Sequence, residues 1–363
     1  MLTEKEKVSV KQKGTMGTPV YIGVSVALFI AVLASIVAAV TIGSVSIPVK
    51  NVYSVIFYEL FHPASLADFA QGAVHDVVWL IRLPRIVLAA AVGGGLAVCG
   101  IVMQAIVKNP LADPYILGVS SGATFGATLS ILLGIGTVFG GNYVGITAFL
   151  GAFAASLLVL SIANIGSRAN SMKLLLSGLA VNAIFSAFSS FIIFISNDKE
   201  GIQNITYWLM GSLAGAKWYY NGIIYLIVAG GTIFFMTQYR TLNMMLLGDE
   251  VSITLGTDLH KYRQTYLLVT SLMIGFIVYS AGMIGFIGLI IPHFVRMFLG
   301  TDHRKIIPVA VMTGAVFMIW ADVFSRIVIP QTEMPIGILV SMTGAPFFIY
   351  LLILKPYGFG GRS

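Results

Sequence analysis

Residues 82–126 read RLPRIVLAAAVGGGLAVCGIVMQAIVKNPLADPYILGVSSGATFG, two apolar runs joined by a short polar turn. At about 1.5 Å per residue the first run, 86–107, is long enough to cross roughly 30 Å of hydrocarbon as a helix, and the next begins near Tyr115. Between them Lys108-Asn109-Pro110-Leu111-Ala112-Asp113-Pro114 cannot stay helical, because two prolines remove backbone donors and push the residues before them out of the α region. A helical hairpin with its turn at a membrane face is predicted. Arg82 and Arg85 flank Pro84 in the expected first turn of this helix, where the macrodipole is already positive, so something anionic is expected to meet them.

Composition points the same way. Hydrophobic residues make up 58% of the 363 and charged residues only 10%, against about 25% charged in soluble domains. The fold class is an all-α polytopic membrane protein in a lipid bilayer. A net charge of +7 would suggest nucleic acid as a partner of a soluble chain, but here the basic residues fall in loops between spans, where they orient the protein, and no nucleic acid is expected. The single cysteine, Cys99, lies in an apolar run, so no intrachain disulfide can form.

In chain order, residues 1–19 form a charged tail with lysines at 5, 7, 11 and 13, and 20–41 read as a retained span, since no small-residue cleavage site follows. Residues 43–81 are mixed and amphipathic and are expected along the outer surface. After the hairpin, apolar runs fall near 144–164, 173–196, 220–239, 265–285, 286–299, 306–329 and 336–354, giving ten membrane segments in one domain, 20–355, followed by a short tail, 356–363. With the N-terminus inside, Lys and Arg divide 15 inside against 6 outside, which predicts a cytoplasmic-membrane protein with both termini cytoplasmic.

Two regions depart from simple spans. Residues 265–299 form an apolar run too long for one span and short for two, cut by Gly282, Gly285, Gly288 and Pro292, so a broken helix within the membrane is expected. Residues 240–263, RTLNMMLLGDEVSITLGTDLHKYR, form the longest polar stretch on the cytoplasmic side. Helical spacing lets Leu246, Leu247, Val251 and Leu255 share a face opposite Asp249 and Glu250, suited to a membrane surface, a soluble partner or a solvated loop.

Catalytic signals are lacking. No Gly-Lys dipeptide occurs, so there is no phosphate-binding GxxxxGK[ST] loop, and the histidines at 62, 75, 260, 293 and 303 show no metal-ligand spacing. No enzyme, cofactor or metal is expected. Transport is, and Asp322 is the only acid well inside an apolar run; it stands four residues before Arg326, which an intrahelical ion pair explains. A carrier without buried carboxylates for an ion gradient points to energy from a partner.

The residues then become recognisable. RLPR, GxxxQAIVK-NPLADPYILGVSSGA, YWLMGSL at 207–213, LGDE and SITLG within 247–256, MIGFIGLIIPHFVR at 283–296, TDHR at 301–304, ADVFSR at 321–326 and EMPIGILVSMTGAPFFIYLL at 333–352 closely resemble the FecCD family over nearly the whole chain from about residue 20. These are permease subunits of ABC importers for iron siderophores, haem and cobalamin. The resemblance implies the type II, cobalamin-permease-like fold with about ten transmembrane helices and a second permease copy or close paralogue. It also implies two ABC ATP-binding subunits inside and an extracytoplasmic substrate-binding protein outside.

Site residues follow from the resemblance one motif at a time. Outward arginines in RLPR and ADxxxR receive glutamates of the binding protein in the family, which matches Arg82, Arg85 and Arg326; headgroup binding or the Asp322 pair would also explain them. The LGDE…LG segment resembles the family's coupling helices, making Leu247, Gly248, Asp249, Glu250, Leu255 and Gly256 contacts for the ATPase, with both glycines suited to helix ends. The NPLA turn resembles the inner gate of cobalamin permeases, with Asn109 and Leu111 closing the pore, although an ordinary proline hairpin looks the same. Ser171 falls at a second gate position, where Met172 stands in place of a small polar residue. Glycines 93, 94, 95 and 100 are expected to be helix-packing contacts.

Overall fold

A computed structural model describes residues 17–354 apart from 44, 116 and 167. The tail before residue 17 and the 356–363 tail, with their share of the charge count, lie outside the described residues. Fourteen helices are described here in chain order: α1 Thr18–Thr41, α2 Val49–Phe61, α3 Ala73–Val107, α4 Val119–Leu133, α5 Tyr143–Ala163, α6 Ser171–Ser196 and α7 Lys199–Leu209 come first. They are followed by α8 Trp218–Thr237, α9 Tyr239–Leu247, α10 Asp249–Thr254, α11 Leu259–Ala281, α12 Ile287–Leu299, α13 His303–Ile327 and α14 Ile336–Leu354. Seven of these are long and apolar enough to cross a membrane, and α4, α12 and α14 are shorter apolar helices. Each of the ten predicted segments therefore has its helix. The α4 helix starts at Val119 and not at Tyr115, because Gly118 takes a left-handed conformation ahead of it.

The centre of the bundle is α3. Of its apolar window 83% is buried, against 11% for α1, so α3 is the core and α1 a peripheral helix. It packs against α8, α11, α12 and α13, and small residues let those backbones close in. A side chain at Gly93 would run into the Gly314 carbonyl of α13, and one at Gly100 into the Gly288 carbonyl of α12. Gly94 faces Val311 and Gly95 faces Ile277, so all four predicted packing glycines lie against neighbouring helices.

The start of α3 corrects one expectation. The helix begins at Ala73 and runs through a π turn over Asp76–Arg82, where Leu83 N–H bonds Val78 instead of the usual carbonyl four residues back. Pro84 lacks the N–H that would continue the regular ladder to Leu80. Arg82 and Arg85 are thus inside a continuous helix and do not face a positive N-terminus.

The long run 265–299 breaks where α11 ends. Gly282 has φ 64° and ψ −153°, a conformation closed to other residues, and Phe286 at φ 68° precedes α12. The freed carbonyl of Ala281 accepts Ser212 N–H at 2.9 Å. Gly288 and Pro292, expected among the cuts, instead lie within α12. Pro292 has no N–H for the carbonyl of Gly288, and Gln104 of α3 donates its Nε2 to that oxygen at 3.3 Å, so the helix survives its proline.

Candidate functional site

The arginines cluster where α1 and α13 end beside the early turns of α3. The last carbonyls of a helix have no partner within it and sit at its negative pole, which suits a cation. Arg82 Nη1 donates to Val40 O at 3.0 Å and Thr41 O at 3.4 Å, and its Nη2 to Val45 O. Gly43 leaves room for this guanidinium, which any side chain there would meet. Arg326 Nη1 donates to Ile42 O at 3.0 Å, and its Nε lies 3.2 Å from Asp322 Oδ2, the predicted intrahelical pair. Arg85 joins them by donating Nε to Asp322 Oδ1 and Nη1 to Glu333 Oε2, both at 2.7 Å.

All three arginines are buried, at 4%, 5% and 6% exposure, and Asp322 is wholly buried, while Glu333 is half exposed. The anionic partners expected for Arg85 are therefore found inside the chain, whereas Arg82 meets backbone carbonyls at the negative end of α1. Arg85 and Glu333 also line a pocket of about 210 Å³ with Tyr207, Ser212 and Met334. Beside it a cavity of about 330 Å³ holds Asn142, Trp208, Lys217, Tyr220 and Tyr279 around the break after α11.

At the other end of the bundle lie the expected gate residues. Lys108 ends α3 in a left-handed conformation, φ 57°, and opens the turn. Asn109 Oδ1 accepts Leu111 N–H at 2.9 Å and Asp113 Oδ1 accepts Tyr115 N–H at 2.8 Å, two side-chain turns in succession that stiffen the loop. Burial outweighs the second of these bonds and pushes the Asp113 carboxyl up to about 6. Leu111 is exposed. Ser171, at the start of α6, donates Oγ to Ile106 O at 2.9 Å, so the two predicted gate segments touch, and Met172 beside it is exposed.

The segment 240–263 is not one amphipathic face. Gly248, φ 103°, ends α9 and starts α10, and Gly256, φ 83°, follows α10, so both glycines do mark helix ends. The turn at Gly248 leaves Leu246 partly buried while Leu247, Val251, Ile253 and Leu255 are exposed together with Glu250. Asp249 faces inward. Partial burial disfavours its charge, but Arg263 Nη2 at 2.7 Å and Lys108 Nζ at 3.2 Å outweigh that and hold its carboxyl below the usual range.

Three features escaped the sequence reading. Arg263 and Lys108 were visible only as loop charges, because nothing local says that both reach one carboxylate. Asn243 Nδ2 donates to Asp302 Oδ1 at 2.9 Å, and its Oδ1 accepts His303 N–H at 2.9 Å, tying α9 to α13. Asn182, Ser186 and Ser190, spaced i, i+4 and i+8, make an exposed polar stripe on the otherwise apolar α6; that spacing was open to detection.

Exposed polar side chains in the middle of α6 and an exposed apolar face on α9 and α10 are left uncovered by the described residues. A model described as the FecCD transport family matches residues 29–354. The chain belongs to the FecCD transport family. It is 42% identical over 276 residues to the cobalamin import system permease protein BtuC of Halobacterium salinarum, covering 76% of this chain and 73% of that one. It is 38% identical over 281 residues to the hemin transport system permease protein HmuU of Yersinia pestis, covering 76% and 83%. The uncharacterized ABC transporter permease protein YvrB of Bacillus subtilis is 37% identical over 331 residues, 91% and 92% of the two chains. Among solved structures, an inward-facing conformation of an ABC transporter assigned to the metal-chelate type matches with a TM-score of 0.77 at 28% identity, covering 92% of this chain and all of that one. This FecCD protein is thus a multi-pass ABC importer permease, a membrane transport subunit.

Proposed function

We propose that this FecCD permease, paired with a second copy or a close paralogue, encloses the pathway by which an iron chelate, a siderophore or haem, enters the cell. The observation that carries the reading is the pair α9–α10: anchored to the bundle by Asn243 and Asp249, it presents Leu247, Val251, Ile253 and Leu255 as an apolar surface that no described residue covers. Such a rigidly mounted apolar knob suits a groove on an ATP-binding subunit. Two such subunits dock at Leu247, Gly248, Glu250, Leu255 and Gly256 on the cytoplasmic side. Both termini lie inside, as the 15 to 6 division of basic residues favours.

The polar stripe of α6 faces the pathway, since Asn182, Ser186 and Ser190 are costly against lipid. Outside, a substrate-binding protein docks over the arginine cluster. Arg85 is the best placed of the three, because a visiting carboxylate in its pocket can take the place of the half-exposed Glu333. Arg82 and Arg326 shape the seat from below. ATP closes the motor subunits, and the permease pair rocks to open or close the turns at Asn109, Leu111 and Ser171. Cobalamin is the second cargo, favoured by the 42% identical cobalamin permease.

Uptake into proteoliposomes, with and without the cognate ATP-binding subunit, tests the reading, together with binding of siderophore, haem and cobalamin to the cognate binding protein. Uptake only with the ATPase and ATP is expected. Uptake without it would overturn the proposal in favour of an ion-gradient carrier.

A further inference from the structure

The coupling helices are anchored at two places that differ in what lies behind them. Asn243 fixes α9 to Asp302 and His303 at the start of α13, a long helix with no gate residue near that end. Beyond Gly248 the attachment changes. Among the described residues, the hydrogen bonds and ion pairs that tie α10 to other elements are Ser252 Oγ to Met244 O on α9, at 3.1 Å, and those of Asp249.

One oxygen of Asp249, Oδ1, holds two cations: Lys108, which opens one gate segment, and Arg263 of α11, which is bonded to the residue leading into the other. Lys108 Nζ, 3.2 Å away, is on the residue that closes α3 and opens the Asn109–Leu111 turn. Arg263 Nη2, 2.7 Å away, belongs to a guanidinium 3% exposed whose Nη1 donates to Ala169 O at 2.8 Å. Ala169 immediately precedes Asn170, whose Oδ1 caps α6 at Lys173 N, and Ser171, bonded to Ile106. A buried guanidinium that loses its carboxylate is left uncompensated, so displacement of Asp249 either carries Arg263 and Lys108 with it or breaks a costly contact.

We infer that Asp249 is the joint through which movement of α10 reaches both inner-gate segments, a positioning residue that faces the bundle and not the ATPase. The inference rests on the transport reading above and adds a residue role to it. Glu250, its exposed neighbour, is on the partner side of the same helix turn.

The test is Asp249→Asn in the full transporter, permease pair, ATP-binding subunits and binding protein, in proteoliposomes. Asn keeps the shape and one acceptor but no charge. The variant complex is expected to co-purify intact and to hydrolyse ATP at the basal rate, while substrate moved per ATP falls about tenfold. Asp249→Glu should restore part of that ratio. An assembled Asp249→Asn transporter with wild-type transport per ATP overturns the joint, as does loss of ATPase binding, which would make Asp249 a docking residue. A wild-type chain that moves substrate with no ATPase overturns the underlying transport reading, a different result from either.

Discussion

Asp322 carries more than its sequence position suggests. It is wholly buried between Arg85 at 2.7 Å and Arg326 at 3.2 Å, the first 237 residues away on α3 and the second four residues along its own helix. Removing the shared carboxylate leaves two buried cations facing each other, and losing one partner of a buried pair costs about 3–5 kcal/mol. Asp322→Ala is therefore expected to lower the thermal unfolding midpoint of the detergent-solubilised protein sharply. Glu333→Gln, which touches Arg85 from a half-exposed position, should change stability by about 1 kcal/mol or less, because solvent screens it. Equal midpoints for the two variants would refute this division. The pair with Arg326 was legible from i,i+4 spacing. The contact with Arg85 was not, because no local rule relates residues so far apart, and it turns three arginines expected at the surface into a cross-brace between α1, α3 and α13.

Among the elements, the turn between α3 and α4 has its own pH dependence. Asp113 is pushed up to about 6, so in the folded protein it keeps its proton longer than the unfolded chain, whose carboxyl titrates near about 3.9. Its contribution to stability is complete below the unfolded value and is lost as pH rises through about 6. Amide exchange in residues 108–118, corrected for the intrinsic rate, should be slower at pH 5 than at pH 7.5. Asp113→Asn should abolish the difference; if the difference persists, another group controls the turn. The prolines made this hairpin readable from sequence, as the length of the apolar runs made most of the long helices. The segment 240–263 was misread as one face because periodicity assumes a continuous helix, and Gly248 rotates α10 so that Asp249 turns inward while Leu247 and Val251 turn out.

At the scale of the whole molecule α6 stands out because only 22% of its apolar window is buried and its exposed surface carries Asn182, Ser186 and Ser190. If it lines a water-filled pathway, Asn182→Cys and Ser186→Cys in the assembled transporter should react with a membrane-impermeant thiol reagent. Val26→Cys, exposed on the peripheral, apolar α1, which lipid would cover in the bilayer, should not. Native Cys99 is buried and stays silent in the measurement. Equal reactivity at positions 26 and 186 would remove α6 from the pathway. By itself the sequence determined the class, the ten membrane helices, the packing glycines and the break after α11. Those follow from hydrophobic length, from proline and glycine chemistry and from small residues, all of which act between near neighbours or along one helix. Only the tertiary structure decided which charges meet. Arg82 caps α1, Arg85 shares Asp322, and Asp249 joins Lys108 to Arg263, because in a low-dielectric bundle each buried charge takes whatever partner the helix packing brings within reach.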